Sequence, residues 1–486
     1  MSRGTRDGIA LAGSALVLGA LADVLFQGQP LGLNVGLWTV AFALALTGLL
    51  RVARAPLHQG RRFMIAPLLL FSALFVWHSS PLLVAANLLA LSAAVSMGAL
   101  RNRRTRLRNT TLSEYGEGFV GAATSAAFGA LPLLMSDIRW QEVVGRARSE
   151  RVTSVARGVA LGLPLLLLFG GLFVAADAVF EQLVSSAVPS VDATVVERLL
   201  IVGVFAWLAG GLLRDLLASR DDDEAAPFAR PRRGLGPLEI GVALAALDLL
   251  FLAFVIVQFR YLFGGSALVL AKTDLTYAEY ARHGFFELVV VTALTLSVLL
   301  LADWALADRS RRMFRWLAAV LLALLGVVIA SALQRMRLYM QHYGLTELRV
   351  YATGGILWLA VVSAWFAVTV LRGRRHAFAV GALVAGFAAT LALNVLGPDA
   401  LIARTNVTRP AVDVSYLAGL SDDAVPTLVS RIRELPSAQR ALLARELLNR
   451  DVAVGDWRSW NASRSQAAAS LRAHRSDLEA LVQPVP

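Results

Sequence analysis

The 486-residue chain contains no cysteine. Disulfides, thiolate zinc sites, iron–sulfur clusters and cysteine nucleophiles are thereby excluded. Lysine is almost absent as well: of 46 Lys and Arg residues, only Lys272 is lysine. Such arginine dominance reads first as the mark of a GC-rich coding sequence. Charged residues of both signs make up only 16% of the chain, where soluble domains carry about 25%. The sequence has no Gly-rich loop ending in Gly-Lys-Ser/Thr, no His-Glu-x-x-His, no EF-hand loop and no Gly-x-Ser-x-Gly. No cofactor is expected on that ground. With no kinase or cyclase module, the chain is not a self-contained sensor kinase.

What is present is apolar. Hydrophobic residues form 57% of the chain, and the mean hydropathy is +0.63. A soluble chain of this kind could not cover itself with polar surface. The net charge of +12 would suggest nucleic acid in a soluble protein. Here the arginines sit in short runs between apolar segments, where they orient spans and meet anionic head groups. The expected partners are membrane lipids, not nucleic acid.

Eleven segments are long and apolar enough to cross a hydrocarbon core of roughly 30 Å. They are 8–26, 31–50, 63–78, 80–100, 158–180, 199–217, 238–259, 284–302, 316–333, 351–371 and 377–396. All must be helices, because lipid offers no partner to an open backbone. The fold class is therefore all-α, a polytopic membrane protein of about 11 transmembrane helices. Arg3, Arg6, the apolar stretch and Ala20-Leu21-Ala22 resemble a signal peptide; retention as an anchor is the expectation.

A further stretch, 118–135, is apolar but rich in Gly, Ala and Ser. If it does not span and the N-terminus is inside, 28 Lys and Arg lie inside and 7 outside, leaving out the tail. If it spans, the counts become 18 and 17 and the positive-inside bias vanishes. The first arrangement is expected. It gives four spans in 1–100 and a cytoplasmic loop, 101–157, with an interfacial or re-entrant helix. Seven spans follow in 158–396, and 397–486 form a small helical extracytoplasmic tail. The loop 214–237, with Asp221 to Glu224 and then Arg230, Arg232 and Arg233, reads as a solvated linker.

The tail balances 10 Asp and Glu against 11 Arg. Ser421 to Pro426 reads as a helix start. Val425, Leu428, Ile432, Leu435, Leu442, Leu443 and Leu447 recur at helical spacing. Pro436 divides them into two helices, and a further helix is expected at about 461–482. These striped helices suit docking onto the spans or onto an envelope protein partner.

Several stretches resemble a family of bacterial multi-pass membrane proteins catalogued as domain of unknown function 4173. They are Gly170 to Phe180, Gln258 to Gly265, Leu275 to Leu288, Arg335 to Tyr339, Tyr343 to Arg349, Ala403 to Arg409, Ser421 to Pro426 and Asp456 to Asn461. The resemblance implies a bacterial inner membrane protein. It supplies no activity to carry over.

The polar blocks 260–287, 334–351 and 397–410 fall on the outer side in this topology. They are dense in Tyr, Arg and Glu. A ligand pocket there would draw on Tyr277, Glu279, Tyr280, Arg282, Glu287, Arg335, Arg337, Tyr339, Tyr343, Arg349, Asn406 and Arg409. Guanidinium groups suit an anion and tyrosine rings suit stacking. The structural alternative is that these groups fasten helices to each other, Glu279 or Glu287 pairing with Arg335 or Arg349. Glu279, His283 and Glu287 stand at i, i+4 and i+8. That spacing also permits metal ligation, but it is short of a metal motif, and no metal is assigned.

Polar residues inside spans form a second group. Asp23, Asp177, Gln258 and Asn394 sit near outer ends. Asp248 lies in mid-span, where a charge is expensive unless paired or protonated. It is a candidate proton-coupling site, or else a neutral acid bonded to a neighbour such as Asn87. The leading functional expectation is non-enzymatic. The protein would bind a lipid, an envelope ligand or a partner at its outer face, in a sensory or scaffolding role. The alternatives are a proton-coupled transporter and an enzyme acting on a lipid-linked substrate.

Overall fold

The computed structural model describes residues 2–54, 59–100, 112–140, 142, 193–217, 237–263, 285–306, 311–410 and 412–482. The span expected at 158–180, most of loop 214–237 and the block 264–284 lie outside them. The described residues form helices joined by short turns. In order these are α1 Arg3–Phe26, α2 Leu33–Val52, α3 Gln59–Ala73, α4 Pro81–Gly98, α5 Leu112–Phe128, α6 Ala193–Leu217, α7 Pro237–Phe263, α8 Phe285–Ala305, α9 Arg311–Tyr343, α10 Glu347–Thr369 and α11 Arg375–Leu396. The tail adds α12 Pro398–Asn406, α13 Val414–Gly419, α14 Val425–Arg431, α15 Ser437–Leu448, α16 Ala462–Ala473 and α17 Arg475–Val482.

Ten of the eleven expected spans are thus helices. Nine described helices are long and apolar enough to cross a membrane, and the number rises to ten if the bent pair at 114–137 is one span. The third expected span is a shorter apolar helix, Arg62–Val76, with Pro67 inside it. Only 11% to 39% of each spanning window is buried. Val17, Leu44, Leu89, Leu249 and Leu250 all point outward. Apolar side chains facing out on this scale require lipid rather than water around them.

The spans form two bundles. In the first, α1 packs along α6, with α2 to α5 around them; Leu18, Leu46, Leu50, Met64 and Leu213 make its core. Gly19 lies so close to Val202 and Ala206 that a Cβ there would collide with them. Small residues let helices approach this way in lipid. The second bundle is α7 to α11, with Leu244, Leu299, Leu325, Ile356 and Phe366 in its core. Helix α11 joins the two by packing against α4. At this seam Asn87 and Asn394 exchange two amide hydrogen bonds, 3.1 and 2.9 Å, both side chains almost fully buried.

The contacts sort the turns into two ends. Residues 27–32, 76–80 and 344–346 share one end with the tail. Arg3 donates to the Ala53 carbonyl, and Arg315 meets Gly373, at the far end. The segment 114–137 begins beside Ser96 and Leu100 and finishes on Arg214, through an ion pair of 2.6 Å from Asp137. Both places belong to the far end. The helix bends by 51° between Phe128 and Ala130.

The tail is a helical unit with its own core, including Ile402, Leu417, Leu428, Leu435, Leu443 and Leu447. Pro436 separates α15 from α14 and its 3-10 extension Ile432–Glu434, as the sequence predicts. Leu442 departs from the expected stripe and faces out. The helix expected at 461–482 divides at His474 into α16 and α17. Helices α12 and α13 are additions. Gly397, at φ +57, ends α11 in the left-handed region, and Pro398 opens α12 at once.

Candidate functional site

The tail lies across the ends of both bundles, and buried polar groups hold it there. Asp423 is the centre of that contact. It follows Ser421 on a turn pinned by Arg450, whose guanidinium donates to the Ala418 and Leu420 carbonyls and to Asp422. The Asp423 carboxylate accepts from the Ser79 and Ser80 amides, each at 3.2 Å. Those amides stand at the start of α4, where Pro81 occupies the first turn. The tail thus caps a spanning helix from outside it, a carboxylate meeting the positive end of a helix dipole.

His78 faces the same carboxylate at 3.4 Å through Nδ1. Its Nε2 lies 2.7 Å from the Asn394 carbonyl and donates to it. Burial alone would raise the Asp423 carboxyl; hydrogen bonds from His78 and Ser463, the His78 charge and the Ser79 amide reverse this and hold it below the usual carboxylate range.

Asp399 sits in the next shell and behaves oppositely. It is fully buried. Its Oδ2 accepts from the Ser421 amide at 3.2 Å. Its Oδ1 and the Ser421 hydroxyl have no partner among the described residues. Burial pushes the Asp399 carboxyl up, Ser421 opposes this in part, and the Asp423 charge adds to the rise. Two neighbouring carboxylates are thus shifted in opposite directions, Asp423 down and Asp399 up. Tyr351 places its hydroxyl 3.4 Å from Ser80 Oγ, and the Tyr416 hydroxyl accepts from the Glu347 amide at 2.8 Å.

A second group of contacts fixes the tail to the first bundle. Asn461 donates to the Phe75 and His78 carbonyls at 2.8 and 2.9 Å while capping α16. Arg464, almost buried, donates to the Leu31 and Ser459 carbonyls. The Leu33 amide donates to the Trp460 carbonyl at 3.0 Å, and Arg458 reaches the Val24 carbonyl.

Five residues expected in an outer pocket do come together at this end: Tyr339, Tyr343, Arg349, Asn406 and Arg409. Arg349 lies 4.0 Å over the Tyr339 ring and donates to the Tyr343 and Gly344 carbonyls. Arg409 donates to the Met340, Gln341 and His342 carbonyls. Asn406 exchanges two bonds with the Leu345 backbone. Much of this hydrogen-bonding capacity therefore satisfies the open carbonyls at the C-terminus of α9. Arg335 is half-buried on α9, Arg337 is exposed, and Glu287 is exposed on the first turn of α8. Tyr277, Glu279, Tyr280, Arg282, His283 and Asp177 lie outside the described residues, as does the side chain of Gln258. Among the described residues no three acidic or histidine side chains converge as metal ligands.

Asn87, suggested as a neighbour for Asp248, is instead engaged with Asn394 across the seam. The Asp248 carboxyl is buried on α7, and neither oxygen has a hydrogen bond among the described residues. Asp23 faces Arg198 at 3.9 Å.

The family model of a domain of unknown function (DUF4153) matches residues 65–430. The chain belongs to that family. This overturns the resemblance to domain of unknown function 4173. Several of those blocks, Gln258 to Gly265, Arg335 to Tyr339 and Tyr343 to Arg349, are rich in aromatics and arginine, a composition that membrane interfaces favour in multi-pass chains generally. No curated protein and no solved structure matches the chain. The DUF4153 match covers α4 to α14 and so includes His78, Asn87, Asp399 and Asp423, none of which the sequence singled out as a site.

Proposed function

We propose that this multi-pass protein sits in the bacterial cell membrane with its N-terminus cytoplasmic and its tail outside. There it binds a lipid, an envelope ligand or a partner protein in a sensory or scaffolding role. One observation carries the reading: a tail with its own core spans the ends of two bundles, held by buried polar groups on the first and by half-buried ones on the second. A ligand gripping that tail acts directly on the junction between the bundles. The arginine excess at the far end supports the orientation.

The absence of cysteine makes the test direct. A cysteine at Gly4, where a side chain meets open space, and one at exposed Ser476 report the two ends. In intact cells a membrane-impermeant maleimide should label position 476, and position 4 only after lysis. The reverse pattern would turn the tail toward cytoplasmic metabolites and end the envelope reading. Ligand binding is tested separately with Arg337→Gln, which leaves the α9 cap intact. Native mass spectrometry of protein extracted with envelope lipid should show a bound lipid or protein that the variant retains less well.

A proton-coupled transporter is the second reading, favoured by the Asp248 carboxyl, which has no hydrogen bond among the described residues. Wild-type protein in liposomes would then carry a proton-dependent flux that Asp248→Asn abolishes.

A further inference from the structure

The loop from Val454 to Trp460 carries the most exposed large aromatic of the tail. Trp457 is 66% exposed, Val454 56% and Trp460 49%. Water is a poor environment for two neighbouring indoles, so what covers them matters.

The contacts of the loop fix its level. Arg458 holds the carbonyl of Val24, in the last turn of α1. The Trp460 carbonyl accepts from Leu33 at the first residue of α2. The Ser459 hydroxyl and the Asp456 amide both donate to Gln29 in the turn between those helices. Helix α1 is about 36 Å long, slightly more than the hydrocarbon core. Its last turn therefore lies where hydrocarbon gives way to head groups.

Apolar residues of α1, α2 and the turn between them stay exposed up to this loop, among them Val17, Val24, Leu31 and Val40. Trp77, on a separate segment, is 46% exposed at the same end, and Asn461 ties that segment to the loop. Trp304 and Trp316 are exposed near the far ends of α8 and α9. Indoles gathered at both ends of an apolar belt are the pattern of the two membrane interfaces.

We propose that the loop 454–460 is a membrane-contacting surface, with Trp457 and Trp460 lying among lipid head groups beside α1 and α2. Its partner is the interfacial layer of the bilayer itself. Recognition does not depend on lipid charge, because the Arg458 guanidinium is occupied by Asp456 and the Val24 carbonyl. The tail is thus fastened twice, by polar bonds to the helix ends and by indoles to the lipid.

The test uses full-length protein in nanodiscs, carrying Trp457→Cys or Val454→Cys labelled with an environment-sensitive fluorophore. Ser476→Cys is the control, on an exposed face of the tail. Emission at 457 and 454 should be blue-shifted and should be quenched by lipids spin-labelled near the head group. The control should be neither. Quenching should be equal in phosphatidylcholine and in mixtures with phosphatidylglycerol. Emission at 457 and 454 matching the control, with no lipid quenching, would overturn the proposal. So would quenching that needs the anionic lipid, or concentration-dependent self-quenching from a second copy.

Discussion

At the scale of single residues, the two aspartates of the tail junction are the sharpest test of the contact. Asp423 caps α4 and faces His78, so Asp423→Ala leaves two amides and an imidazole without their acceptor. The expected loss is about 3 kcal/mol, read as a lower unfolding temperature in detergent. The pH dependence follows from opposite shifts. The depressed Asp423 contributes stability that is present above the ordinary carboxylate range and lost as pH falls through its folded value. The raised Asp399 works the other way: its contribution is complete below the ordinary carboxylate range and lost as pH rises through its folded value. Asp399→Asn should therefore flatten the decline in unfolding temperature above the ordinary carboxylate range and leave the acid limb in place. A variant with an unchanged profile on both sides would show that Asp399 ionises without penalty.

Between helices, close approach makes the clearest prediction. Gly32 precedes α2 and presses against the Ser459 and Trp460 carbonyls, so a Cβ there has no room. Gly32→Val should push the 454–460 loop away at a cost of about 1–3 kcal/mol and make the tail more sensitive to protease. Arg409→Ala should free three carbonyls at the end of α9 and destabilise by about 1 kcal/mol, with Arg337→Gln as the neutral comparison. The spanning helices were legible in the sequence because hydrocarbon thickness imposes their length and apolarity. So was the split at Pro436, since proline cannot donate inside a helix. The Asn87–Asn394 pair was not legible, because its members stand 307 residues apart. Nor was the Asp423 cap: an Asp pair before a helix reads as a local N-cap, and its partners lie 343 and 344 residues earlier. The arginines near the tail were visible as a cluster, but their carbonyl partners are backbone and leave no signature in sequence.

For the whole molecule, the bundles share an interface with a buried amide pair at its heart. Asn87→Leu alone should leave the Asn394 Oδ1 without a donor in an apolar seam, whereas Asn87→Leu with Asn394→Leu should recover part of the loss. A double-mutant cycle in unfolding temperature measures this coupling. The tail's placement has a further consequence, for biogenesis. The residues it grips, Val24, Leu31, Phe75 and the Ser79 and Ser80 amides, are made hundreds of residues before Asp423, Arg458 and Arg464. Until the last of these leaves the ribosome, the Ser79 and Ser80 amides at the start of α4 have no acceptor and the turn between α1 and α2 has no clasp. Assembly of this junction therefore waits for the tail, and a chain interrupted before residue 423 would present quality-control proteases with an open joint.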